Sequence, residues 1–120
     1  MKVLVVDDEE GILEILEEYF QNIGFKVLLA NNGKAALSLL LQNKNLDLII
    51  SDYNMPYLNG VELYNKICKI LSEPPPFIIF SGNINEADIL KFTRKPIAIL
   101  RKPCDMDRLG EYALNLKKNL

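Results

Sequence analysis

Five short apolar runs are spaced through this 120-residue chain, and a stretch with helical periodicity follows each one. The runs are KVLVV at Lys2–Val6, KVLL at Lys26–Leu29, LDLIIS at Leu46–Ser51, FIIF at Phe77–Phe80 and IAIL at Ile97–Leu100. Runs this short and this continuously apolar read as strands with both faces covered. Strict alternation of strand and helix implies a parallel sheet between two helix layers. Few other folds tolerate the pattern.

The helical stretches are amphipathic. Gly11–Gln21 carries Ile12, Leu13, Ile15, Leu16, Tyr19 and Phe20 on one face and glutamates on the other, and Gly24 stops it. Lys34–Leu41 turns Ala36, Leu37, Leu40 and Leu41 inward. Gly60–Leu71 does so with Val61, Tyr64, Ile67, Cys68 and Leu71. A weaker helix is expected over Asn85–Phe92. The last begins near Asp105, a good N-cap, with Leu109, Tyr112, Ala113, Leu116 and Leu120 inward. Right-handed crossovers leave few topologies. The common one is the flavodoxin-like order 2-1-3-4-5: a three-layer α/β sandwich of five parallel strands and five helices. A single domain over residues 1–120 is expected.

Composition excludes several functions. Apolar residues make up 49% and charged residues 25%, an ordinary globular balance. The net charge of −2 gives no overall bias toward nucleic acid or an anionic membrane. No run is long enough to span a bilayer, and no signal peptide is visible. Histidine is absent, which removes His-based triads and the usual zinc sites. Cys68 and Cys104 are too few for a disulfide framework and lack metal-ligand spacing, so both read as free thiols in a reducing cytoplasm. Met1 leads straight into the first strand pattern.

Chemistry gathers at the strand ends. Asp7 and Asp8 follow the first run, Asp52 the third, Ser81 the fourth, and Lys102-Pro103 the fifth. In a parallel sheet these ends line one edge, and the crevice lies at the switch point between the first and third strands. Three carboxylates there repel one another unless a cation intervenes, and hard oxygens favour Mg²⁺ or Mn²⁺. One carboxylate can attack phosphorus and give an acyl phosphate. A lysine and a hydroxyl stabilise the equatorial oxygens. Taken singly, each feature is bland. An acidic run after a strand complements a helix dipole, and Lys-Pro or Ser-Gly commonly marks a turn. Their occurrence together at successive strand ends is not explained by capping.

The same residues resemble the receiver domains of two-component response regulators. VVDDEE with Asp7 and Asp8, DYNMP from Asp52 to Pro56, Gly60, Ser81-Gly82 and Lys102-Pro103 carry the resemblance over the whole chain. NNGKAAL around Gly33 and the CDMDRL opening of the last helix are also similar. The resemblance implies that Asp52 accepts a phosphoryl group from a phosphohistidine of a sensor kinase or a histidine phosphotransfer protein. It implies Mg²⁺ bound by Asp8 directly, by Asp7 mostly through water, by Asp52 and by the backbone carbonyl of Asn54. Ser81 would bond a phosphoryl oxygen. Lys102, ahead of a cis Pro103, would pair with Asp52 before phosphorylation and with the phosphoryl group after it. Asn54 and Asn83 lie where family members tune dephosphorylation. The domain would promote only its own phosphorylation and dephosphorylation. The signal would pass, through the loop after Ser81 and the surface of the fourth helix, fifth strand and fifth helix, to a protein target or an output domain beyond this sequence. Neither nucleic acid nor membrane is an expected direct partner.

One position departs from the pattern. The family usually has Tyr or Phe three residues before the lysine, and here Ile99 stands there. A β-branched side chain is stiff. Motion is therefore expected in the loop after Ser81 and in Asn85–Phe92. Lys91, Arg94, Lys95, Arg101 and Arg108 can make that surface basic, which suits an acidic partner as well as it suits a solvated face. Two rival functions are a phosphorylation-independent docking receiver and a Mg²⁺-dependent phosphohydrolase. Intact Asp8, Asp52 and Lys102 argue against the first. Against the second, haloacid-dehalogenase-like enzymes place the nucleophile and a second Asp two residues apart after the first strand, whereas Asp7 and Asp8 are adjacent.

Overall fold

The computed structural model describes residues 1–43, 45–103 and 105–118. Five strands alternate with five helices: β1 (Lys2–Val6), α1 (Glu10–Asn22), β2 (Lys26–Ala30), α2 (Gly33–Gln42), β3 (Leu48–Ser51), α3 (Gly60–Ile70), β4 (Phe77–Ser81), α4 (Glu86–Ile89), β5 (Ala98–Arg101) and α5 (Met106–Lys118). The strands form one parallel sheet in the order β2-β1-β3-β4-β5, as the alternation predicts.

Strand alternation divides the core in two. Val3, Val5, Leu48, Ile50, Ile78 and Leu100 face α1 and α5, where Leu13, Leu16, Phe20, Leu109 and Ala113 cover them. Leu4, Val6, Ile49, Phe77 and Ile79 face the other layer and meet Ala36, Leu40, Leu63, Tyr64 and Ile67. The helix ends follow local chemistry. Asn32 caps α2 by accepting from the Ala35 N–H at 2.7 Å. Asn59 and Glu62 form a reciprocal capping box on α3. Gly24 ends α1 at φ 94°, a left-handed turn that favours glycine. Asp105 precedes α5 as expected, but its carboxylate accepts from the Arg101 N–H at 2.8 Å and ties the helix start to β5.

Ile15 and Leu41, expected inward, are 58% and 55% exposed. Each sits on the shoulder of its apolar stripe, where one further residue of rotation leaves the core. Leu63, not picked out from the pattern, is fully buried. Cys68 is a half-buried free thiol. The expectations for Cys104 and Leu120 lie outside the described residues.

The largest departure is α4, a single turn where Asn85–Phe92 was expected to be helical. Asn85 caps it normally through the Asp88 N–H. The chain then leaves the helix because α3 offers better partners. The Asn65 side chain donates to the Lys91 carbonyl and accepts from the Thr93 N–H and hydroxyl. Phe92 packs edge-on to Tyr64 with ring centroids 6.0 Å apart. These contacts satisfy backbone groups that a longer helix would have paired internally.

Candidate functional site

Strand register builds the site. Val6 pairs with Ser51, so the next residues, Asp7 and Asp52, emerge side by side. The Asp52 N–H donates to the Val6 carbonyl at 2.9 Å and extends the ladder to Asp52. Ser81 pairs with Arg101, and the Lys102 N–H donates to the Ser81 carbonyl at 3.2 Å. The Lys102–Pro103 peptide is cis, as the resemblance implies. Asp8, Glu9, Asp52, Asn54, Ser81 and Lys102 thus line one cleft of about 300 Å³, together with Gly82 and Asn83.

Asp7, Asp52 and Ser81 are buried, whereas Asp8 and Asn54 are exposed. Both Asp7 oxygens accept a hydrogen bond. Its Oδ1 accepts from the Glu9 N–H at 2.9 Å and its Oδ2 from the Lys102 ammonium at 2.5 Å. Lys102 Nζ stands farther from Asp52, at 3.4 Å. The resemblance implies pairing with Asp52, and here Asp7 is the closer partner. The reason is electrostatic: Asp7 is the more enclosed carboxylate and gains most from a counter-charge. Asp52 Oδ1 already accepts from the Tyr53 N–H at 2.8 Å.

Burial pushes the Asp7 carboxyl up, against the pull of Lys102 and the Glu9 amide. Burial disfavours the Lys102 ammonium too, but bonding to Asp7 and the charge of Asp52 outweigh it and hold the amine above its usual range. One carboxylate oxygen each from Asp7, Asp8 and Asp52 lie within 4.8 Å of one another. Three negative charges against one ammonium leave a deficit that a single divalent cation fills, and the donors are all hard oxygens. The residues fit Mg²⁺. Across the cleft, the Asn54 side chain donates to the Asn83 carbonyl and the Asn83 N–H to Ser81 Oγ, both at 3.4 Å.

Two residues escaped the sequence reading. Glu9 lines the cleft and anchors Asp7 through its backbone, and its place in the DDEE run was the available signal. Tyr53 has its phenol pushed up by burial and by Asp88 of α4, a pairing that only the tertiary structure creates. Gly60 supports the site from behind. A Cβ there would overlap the Asp52 carbonyl oxygen and press on Ile79 and the Tyr53 Cα. Gly60→Ala is therefore expected to cost about 3 kcal/mol, the upper range for overpacking. Urea unfolding checks this, and a loss below about 0.5 kcal/mol, the size of a neutral surface change, would contradict the contact.

A family model described as the response regulator receiver domain matches residues 3–113. The chain is 34% identical over 99% of its length to a putative two-component response regulator, ARR21, of Arabidopsis thaliana. It spans 20% of that relative and about half or less of the other curated relatives it matches. Among solved structures, a response regulator receiver domain protein of Clostridium thermocellum superposes with a TM-score of 0.82 at 32% identity, covering 98% of this chain and 96% of that one. The response regulator TrrA of Thermotoga maritima, solved in complex with Mg²⁺-BeF, gives 0.82 at 29% identity, covering 96% and 97%. With the strand-end carboxylates, hydroxyl and lysine in one cleft, these likenesses agree: the chain belongs to the response regulator receiver domain family of two-component signalling.

Proposed function

We propose that this chain is a phosphorylation-switched receiver that takes a phosphoryl group on Asp52 from a phosphohistidine of a sensor kinase or a phosphotransfer protein. The observation that carries this reading is the convergence of Asp52, Lys102 and Ser81 on one cleft beside two further carboxylates. An Asp52 carboxylate oxygen attacks phosphorus, the P–N bond to the donor imidazole breaks, and the imidazole keeps the electron pair and takes up a proton. The product is an aspartyl phosphate. Lys102, already 3.4 Å from Asp52, moves to the transferred group and offsets its added charge. The Ser81 hydroxyl donates to a phosphoryl oxygen. Asp7, Asp8, Asp52 and the Asn54 carbonyl would hold Mg²⁺ (Mn²⁺ suits the same donors), which supplies charge neutralisation when bound.

The whole site belongs to one domain, and the chain acts on no phosphate but its own. The read-out follows from packing. No residue of α4 is buried, so this turn is the least anchored element beside the cleft. Ile99 is half-buried against the α3 layer and has no ring to swing. Added charge at Asp52 would therefore select between packings of the loop after Ser81 and of α4. Incubation with acetyl phosphate and Mg²⁺ is expected to add one hydroxylamine-labile phosphoryl group, read by intact-protein mass. A chain that stays unmodified would remove the acceptor reading and leave a docking receiver.

A further inference from the structure

A second concavity lies at the opposite end of the sheet from the acidic cleft, where β3 and β4 begin. Leu40, Leu41, Leu46, Leu71, Glu73 and Pro75 line a groove of about 340 Å³. Local structure forms it. α2 runs out at Gln42, and α3 stops at Ile70 with Leu71 already extended. Ser72 to Pro76 then carry the chain to β4, and three of those five residues are proline. Each proline fixes φ, so this wall of the groove is stiff. Leu40 and Leu46 are buried and make the floor, while Leu41 is 55% exposed on the lip. Ile70, one residue before Leu71, is 49% exposed. A preformed apolar hollow of this size suits a small molecule.

Charge narrows the choice of occupant. Among the described residues that line the groove, Glu73 alone is ionisable. It is exposed, and among the described residues it has no ion-pair partner. Asp47, next to Leu46, is spent on the Lys2 N–H at 2.8 Å. Two helices also end here, and helix carboxyl ends carry partial negative charge. The last turn of α2 has no basic residue. That of α3 has Lys69, which is exposed and stands outside the lining. Arg94 comes near but donates to the Ser72 carbonyl, at 3.4 Å. An aliphatic floor under a negative lip is complementary to an apolar body that carries one cationic group. A carboxylate ligand would instead meet like charge from Glu73 and both helix ends.

We propose that this groove binds a small organic amine, with its hydrocarbon body over Leu40, Leu46 and Leu71 and its ammonium against the Glu73 carboxylate. The groove shares no lining residue with the acidic cleft, so binding is independent of phosphoryl transfer. The test is an amide-NMR titration of the whole chain with phenylbutylamine, and with phenylbutanol and phenylbutyrate as its neutral and anionic counterparts. The amine is expected to give saturable shifts centred on Leu41, Leu46, Leu71 and Glu73. Its dissociation constant should be on the order of 1 mM, ordinary for so small a ligand. The alcohol should bind more weakly and the carboxylate most weakly. Glu73→Gln should weaken the amine about threefold to fivefold, the size of an exposed ion pair, and leave the alcohol unchanged. Leu41→Lys should weaken the amine by more than about tenfold, because it removes apolar wall and adds like charge. Both sites are exposed, so both variants keep the native circular dichroism. Asp52→Asn should bind equally well, which separates this proposal from the phosphoacceptor reading. Five results would overturn it: no saturable shift at the groove, equal affinity for the amine and the carboxylate, unchanged amine affinity in Glu73→Gln, shifts centred instead on Asp8, Asn54 and Ser81 of the acidic cleft, or self-association of the chain that buries Leu41 and Ile70.

Discussion

Asp52→Asn is expected to end phosphoryl uptake from acetyl phosphate, with the rate falling by more than about a thousandfold, while the fold persists. The carboxamide is nearly isosteric, and its oxygen can still accept from the Tyr53 N–H that now holds Oδ1 at 2.8 Å. What is lost is the anionic oxygen that the proposed transfer uses to attack phosphorus. Neither neighbouring carboxylate can substitute. Asp7 has both oxygens engaged, by Glu9 and Lys102, and Asp8 stands on the exposed rim of the cleft. The result is read as added phosphoryl mass on the intact chain, with circular dichroism as the control for folding. Undiminished labelling of the variant would move the acceptor to another residue.

The sheet was legible because each strand is a short apolar run and each helix a striped one, two signals with different periods. The site was legible for the same reason: its residues stand at the ends of those runs, and topology alone carries them to one edge. What escaped depends on contacts between distant segments. The Asn85–Phe92 stretch has an acceptable helical pattern, but Asn65 and Tyr64 of α3 compete for its backbone and for Phe92, and no local propensity encodes that competition. Ile15 and Leu41 failed as core residues through the orientation of their helices. The preference of Lys102 for Asp7 over Asp52 was hidden because it turns on relative depth, and sequence gives no depth within a cleft.

Depth also sets the expected metal response. Asp8→Asn is expected to lower the affinity for Mg²⁺ by more than about tenfold, since even an outer-shell partner commonly costs tenfold. Asp7→Asn lowers it less. Asp8 is exposed at the open side of the cleft, where a hydrated cation would arrive with most of its waters. Asp7 is already spent on an ammonium and an amide, so its remaining contribution is largely field rather than contact. Without metal the order of effects reverses in sign. Asp7, Asp8 and Asp52 crowd within 4.8 Å, and among the described residues only Lys102 offsets them. Removing the Asp8 charge relieves that repulsion without breaking the Lys102 pair, so the metal-free variant melts at a higher temperature than the parent chain. Adding Mg²⁺ then stabilises the parent more than the variant and narrows or inverts the gap, because a ligand that binds only the folded state raises its stability in proportion to affinity. Calorimetric titration gives the affinities, and thermal melts in chelator and in excess Mg²⁺ give the crossover. Equal affinities for the parent and Asp8→Asn would place the cation outside this cleft.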